Sequence, residues 1–483
     1  VLEFPASCSA TLESSGSVIV YGTLRMRPAS ADVTHTLRFV GVNEATYVGG
    51  GDGVTPGDVG LWVEDQGVLD AQGTPRAAWN RTGTDPSWRP GDEVRVTPTA
   101  VGDYSTFAPF TPGTAVPSVT SPSGKVYAAE VFNLTRNVLI EGTPAGKAHI
   151  RISTSVPQTI RWVAIRWMGP QNTANSLKPF PGRSALHLHR MGDASRGTLI
   201  EGVVVRDSYG EFGFNLHASH GVTVRDSVVF GGGNEGYGWT TRAQDSTDEP
   251  TDDTLIEHAL AANIAPPYTS HRHAGFSLAK GTGNVIRDSA AAGIRAGSDA
   301  SGFHWPEGAD ATAWDSTDLV AHNNQRDGIF VWQNNGAETN DLVRMVTYRN
   351  GDTGINHGAY ANAYRYVDSD SFANQTDLML HAKSRPSGRG LRFDGGWLGR
   401  VVLPPHNRAE PVLRTVIAGA RVTSLSFFES TAKQPGTYDL LDTGLARQDV
   451  TIGSIHPQTW VRVRNGTDCW QVTASGISDI QCF

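Results

Sequence analysis

Histidine and asparagine recur at one position of a repeated strand pattern in this sequence. The first two runs are Ala185-Leu-His-Leu-His189 and Gly213-Phe-Asn-Leu-His217. The pattern continues through Gly236-Tyr-Gly-Trp-Thr240, Gly275-Phe-Ser-Leu-Ala279, Gly302-Phe-His-Trp-Pro306, Gly328-Ile-Phe-Val-Trp332 and Gly354-Ile-Asn-His-Gly358. Side chains alternate between faces along a strand. Leu186, Leu188, Phe214, Leu216, Phe276, Phe303 and Ile329 take the inward positions, with Tyr237 in the same column. His187, His189, Asn215, His217, His304, Asn356 and Trp332 then share the outward side. An imidazole takes or gives a proton near neutral pH, and an amide grips a polar substrate. Trp332 offers a flat apolar face for a sugar ring. Arg242 and Lys280 lie just past their strands and would hold a substrate's charges, and Glu307, also just beyond its strand, is a further candidate binding residue. The stripe reads as a long groove suited to a linear polysaccharide.

Two other readings compete with a ligand surface. Stacked Asn and His side chains also stabilise repetitive β-structures. His187, His189 and His217 could instead converge on a metal across two coils. With no cysteine or carboxylate pair in the stripe, no metal is assigned there. The acidic stretch of Asp245, Asp248, Glu249, Asp252 and Asp253 reads as a solvated loop, with calcium as its alternative.

The elements that must position this stripe are strands of a solenoid. The central residues of the runs fall at 187, 215, 238, 277, 304, 330, 356 and 379, in steps of 28, 23, 39, 27, 26, 26 and 23. A period in that range is a repeat signal. A second series interleaves with it: Gly202-Val-Val-Val-Arg-Asp-Ser208, Gly221-Val-Thr-Val-Arg-Asp-Ser227 and Gly283-Asn-Val-Ile-Arg-Asp-Ser289. Two alternating strand series predict an all-β chain built on a right-handed parallel β-helix, each coil stacked on the last. The step of 39 predicts an insertion. Short strands at 17–21, 35–40, 60–63 and 93–98 precede the repeat. The expected organisation is a β-rich domain over residues 1–150, the β-helix over 151–425 and a β cap over 426–483.

Composition agrees with that architecture. The 483 residues include 54 Gly and 26 Pro, too many for a helical bundle and too aperiodic for collagen. The net charge of −8 makes nucleic acid a poor first guess. No apolar run is long enough to span a membrane. The chain does not begin with Met, and it reads as a mature product. Cys469 and Cys482 are placed to form a disulfide, which leaves Cys8 over and suits an extracellular, secreted setting. The polar outward columns favour an isolated solenoid, hence a monomer.

Several strings in order carry a resemblance. They are Asp-Ala-Gln-Gly-Thr-Pro-Arg-Ala-Ala-Trp at 70–79, Pro-Gly-Asp-Glu-Val at 90–94, Leu-Thr-Arg-Asn-Val at 134–138, Met-Gly-Pro-Gln at 168–171 and Leu-His-Leu-His at 186–189. Over about residues 15 to 300 this order resembles the eight-glycine domain and parallel β-helix of the hyaluronan-binding, hyaluronan-depolymerising proteins linked to cell migration. The family's His-x-His matches His187 and His189, whereas Pro170 interrupts its Met-Gly-Gln string. The resemblance implies hyaluronan as substrate and partner, and a form like a bacterial secreted hyaluronidase. Hydrolysis of such a polymer usually needs two flanking carboxylates. The stripe offers only Glu307, so β-elimination is the expected chemistry, with hydrolysis or glycan binding without catalysis as alternatives. Asn215 would hold the uronate carboxylate, His217 or His189 would take the proton, and His304 would be the acid.

Overall fold

The computed structural model describes residues 1–172, 178–239, 249–266, 273–295, 300–306, 312–331, 338–358, 363–380, 391–403, 415–427, 437–453, 455 and 457–483. Nearly all regular structure among them is β, gathered into one large sheet system whose neighbouring strands pair in parallel up to strand Trp460–Asn465. The chain is a parallel β-helix. Coil length follows the repeat: His187 pairs with Asn215, Asn215 with Gly238, Ser277 with His304, His304 with Phe330, Phe330 with Asn356 and Asn356 with Met379.

The inward column explains the register. Phe214, Tyr237, Phe276 and Phe303 stack face to face, with successive centroids 4.9, 4.5 and 4.8 Å apart and planes within 8°. These separations equal the strand spacing, so each coil delivers one ring to a continuous apolar pile. A one-residue slip would turn every ring outward, which fixes the outward residues too. Tyr237 is fully committed to this pile, its hydroxyl meeting Ser227 at 3.0 Å and donating to the Leu260 carbonyl at 3.3 Å.

The Arg-Asp-Ser strings mark coil corners. Asp207, Asp226 and Asp288 adopt φ of 52°, 46° and 43°, the left-handed region in which a short polar side chain is tolerated. The string at 202–208 is not in register with the one at 221–227, however. Val204 pairs with Val228, whereas Thr223 pairs with Leu199 and Leu255. The same string therefore serves two different sides of a coil, because both sides need an apolar strand ending in a tight left-handed corner.

Parallel pairing crosses both boundaries expected from the sequence. Strand His35–Phe39 pairs with Val138–Glu141, Leu61–Asp65 with Ile150–Thr154, and Val68–Gln72 with Thr159–Arg161. Residues 73–137 leave the coil and return to it. Within them, Trp79–Asn80, Val131–Asn133 and Val94–Val96 form a small antiparallel sheet. Its Trp79, Phe107 and Phe132 pack on Val204, Val228, Phe230 and Leu260 of the solenoid flank. At the far end, Thr437–Leu441 still pairs in parallel with Trp460–Asn465. Antiparallel strands Asp468–Thr473 and Gly476–Asp479 then close the stack. The Cys469–Cys482 disulfide ties this closure, with Cα atoms 5.2 Å apart, and Cys8 is free and exposed. Among the described residues, no helix is long and apolar enough to cross a membrane.

Candidate functional site

Strands Leu186–Gly192 and Phe212–Ser219 lie side by side, so His189 pairs with His217 as His187 does with Asn215. Alternation sends all four side chains out of the coil. They do not stand in open solvent: His187 and Asn215 are fully buried, and His189 and His217 are 8% and 7% exposed. The segments that cover them arrive from earlier in the chain and from just before the first strand.

A glycine-rich loop supplies the first of these. Gly49, Gly50 and Gly51 all have φ near 70°, a left-handed run that residues with side chains avoid. A Cβ at Gly49 would also press on Pro181 at 3.0 Å. Asp58 pins this loop by accepting from the backbone of Val48 at 2.7 Å and Gly49 at 3.0 Å. Buried Arg183 donates to Asp58 at 2.7 Å and to the Gly50 carbonyl at 2.8 Å. Trp62 lies between two guanidinium groups, Arg183 at 4.8 Å and Arg151 at 5.3 Å from its ring centre. Arg151 pairs in register with His187 on one side and Trp62 on the other, and donates to the Asp52 carbonyl at 2.6 Å.

The loop thereby sets Asp52 beside the histidines. His189 Nε2 is 2.9 Å from Asp52 Oδ1, and Arg190 donates to the same oxygen at 2.9 Å. Arg190 also donates to Glu249 at 2.7 Å, and Glu249 lies 3.6 Å from His217 Nε2. His187 Nδ1 faces the Gly182 carbonyl at 2.9 Å. The remaining ring nitrogens turn toward one another: His189 Nδ1 is 3.4 Å from His187 Nε2 and 3.3 Å from His217 Nδ1. One nitrogen from each ring falls within 4.8 Å of the others.

Burial and neighbouring cations keep these rings uncharged. Burial holds His187 well below the ordinary imidazole range, with His189 adding to the effect. Burial and then Arg151 bring His189 to about 4, although Asp52 pulls the other way. Burial and then Arg190 bring His217 to about 4. The bond from His189, together with Arg190, lowers the Asp52 carboxyl. At neutral pH the patch therefore presents three uncharged imidazoles ringed by ion-paired carboxylates and guanidinium groups.

No family profile matches the chain, and no curated protein matches it. Solved structures do resemble it. One is the A-module of the Azotobacter vinelandii mannuronan C-5 epimerase AlgE4, with 14% identity and a TM-score of 0.35 over 65% of this chain and 91% of that one. Another is the tailspike protein gp49 of Pseudomonas phage LKA1, with 10% identity and a TM-score of 0.27 over 92% of this chain and 71% of that one. The Dettilon tailspike protein gp208 shows 12% identity and a TM-score of 0.23 over 70% of each chain.

The structure brings together His187, His189, Asn215 and His217, and separates them from the rest of the expected stripe. His304 lies three rungs from Asn215, about 14 Å at strand spacing, and packs edge-on against Phe330 at 5.1 Å. It is too far to protonate a leaving group whose neighbouring carboxylate Asn215 holds. Asn356 lies five rungs away, half-buried, and donates to Asp327 at 3.3 Å. Lys280 is buried just beyond strand His273–Ser277. Arg242, Trp332 and Glu307 lie outside the described residues, as do Asp245 and Asp248 of the acidic stretch. The other acids of that stretch are engaged: Glu249 with Arg190, Asp252 with the Thr282 backbone at 2.7 Å and Asp253 with Arg196 at 2.7 Å. Asp52, Arg151, Arg183 and Arg190 are site residues that the stripe did not reveal. A lone acid inside Gly-Gly-Gly-Asp-Gly at 49–53, and the alternating His-Ile-Arg-Ile at 149–152, are the signals that carried them.

Proposed function

We propose that this protein is a secreted, endo-acting enzyme that depolymerises hyaluronan by β-elimination at the patch around His189, His217 and Asn215. Elimination from a uronate needs its carboxylate neutralised, the C5 proton removed and the departing O4 protonated. Arg190, whose side chain is 45% exposed, is the cation an acidic sugar would meet, and Arg151 and the Asn215 amide lie buried in the same patch. A neutral imidazole is the group that accepts the proton. The observation that carries this reading is the setting of His189 and His217, buried beside carboxylates that Arg190 already pairs, which holds both imidazoles below their ordinary range. A hydrolase needs one carboxyl kept protonated as general acid. Asp52 is held in the opposite direction.

The test is the ultraviolet absorbance of hyaluronan digests. Elimination leaves a conjugated unsaturated uronate, which absorbs, and hydrolysis does not. Cleavage without absorbance would replace the lyase by a hydrolase. Binding without loss of viscosity would leave a glycan-binding solenoid. The same digest on chondroitin sets the breadth of specificity.

A further inference from the structure

We propose that His187, His189 and His217 form a three-nitrogen binding site for a zinc-class divalent cation. His187 Nδ1 faces a carbonyl, which only accepts, so that nitrogen carries the proton and Nε2 is bare. His189 Nε2 faces the Asp52 carboxylate, so it carries the proton and Nδ1 is bare. The two bare nitrogens point at each other across 3.4 Å, and His217 Nδ1 lies 3.3 Å from that of His189, with Glu249 3.6 Å from its opposite ring nitrogen. The opposed lone pairs of His187 and His189 gain nothing from this approach. A shared cation converts the same geometry into three bonds.

The distances fit one ion. Nitrogens bound tetrahedrally at 2.0–2.1 Å stand about 3.3–3.4 Å apart, close to both measured separations. All three ligand nitrogens lie within 4.8 Å of one another. The outer shell has the arrangement that metal-binding histidines use, a carbonyl behind one ring and carboxylates behind the others. Asp52 and Glu249 also offset the charge of Arg190. An imidazole-only donor set suits zinc, copper or nickel and not calcium, which takes oxygen ligands. Three protein ligands leave a fourth position for water or substrate.

The cation would take the lone pairs that the elimination reading uses on His189 and His217, so the two compete for one patch; binding is measured without glycan, which keeps their tests apart. The metal-stripped full chain would be titrated with Co2+ and followed by its visible ligand-field bands, and with Zn2+ followed by elemental analysis. The expected result is one ion per chain, with the intense Co2+ bands of a four-coordinate nitrogen site. His187→Ala and His217→Ala should each weaken binding at least about 100-fold, Asp52→Asn about 10–100-fold, and His304→Ala not at all. Wild-type protein that takes up no stoichiometric Co2+ or Zn2+ overturns the proposal, whatever the variants do. So does uptake unchanged by His187→Ala and His217→Ala. One bound ion together with absorbance-silent digests upholds the metal site and overturns the lyase. Absorbing digests from a metal-free chain that takes up no ion do the reverse.

Discussion

His189 and Asp52 meet at 2.9 Å although 137 residues separate them in the chain. The carboxylate fixes which ring nitrogen is protonated, and the loop that carries it is pinned separately through Asp58 and Arg183. Asp52→Ala should therefore lower hyaluronan turnover about 10–100-fold with little loss of stability, since its side chain is 72% exposed. Steady-state kinetics with a thermal melt checks this. Unchanged turnover would mean that the tautomer of His189 is irrelevant to the chemistry.

His217→Ala and Asn215→Ala should each reduce turnover at least about 100-fold while the circular dichroism of the fold is kept. Both side chains point out of the coil, so the inward aromatic pile survives their loss. Wild-type activity in either variant would move the reaction away from this patch.

The solenoid was legible in the sequence because its determinants are periodic. The run centres at 187, 215, 238, 277, 304, 330 and 356 follow the observed register, since each run carries an inward aromatic or aliphatic residue that burial enforces. The coils before residue 150 were hidden because the excursion at 73–137 interrupts the period. The cover of the site was hidden for a different reason. Periodicity says which way His187 points, but a non-repeating loop decides whether solvent is there, and Asp52 belongs to that loop. The functional partition of the stripe needed the rung count, which places His304 with Phe330 and away from Asn215.

That separation gives His304→Ala a distinct expected signature. Three rungs from the patch, it should leave kcat within about twofold and change KM instead, since such a loss removes binding shared by ground and transition states. Measured kinetic constants decide it. A fall in kcat comparable to that of His217→Ala would restore His304 to the chemistry.

The inward pile carries stability. Phe276 contacts rings above and below it at 4.5 and 4.8 Å, so Phe276→Ala leaves a cavity between two coils. The expected cost is about 3–5 kcal/mol, read from denaturant unfolding. A loss below about 1 kcal/mol would mean that the coils collapse onto one another freely.

The excursion at 73–137 is tied to the solenoid by a buried contact between Glu130 and His322 at 2.8 Å, with neither side chain exposed. Burial opposes the charge on Glu130, but His322, Arg81 and Thr97 more than offset it and hold the carboxyl at about 2, against an ordinary value of 4.5. A depressed carboxylate contributes stability that is complete above its unfolded value and disappears as pH falls through the folded one. Glu130→Gln should thus cost about 3 kcal/mol at neutral pH, because it takes the counter-charge from Arg81 and the buried carboxylate partner from His322. The difference between wild type and variant should shrink as pH falls from about 5 toward 2. Urea unfolding of both proteins across that range checks the slope. A difference that stays constant with pH would mean that Glu130 is held as a neutral acid, and that packing of Trp79, Phe107 and Phe132 alone seats the excursion.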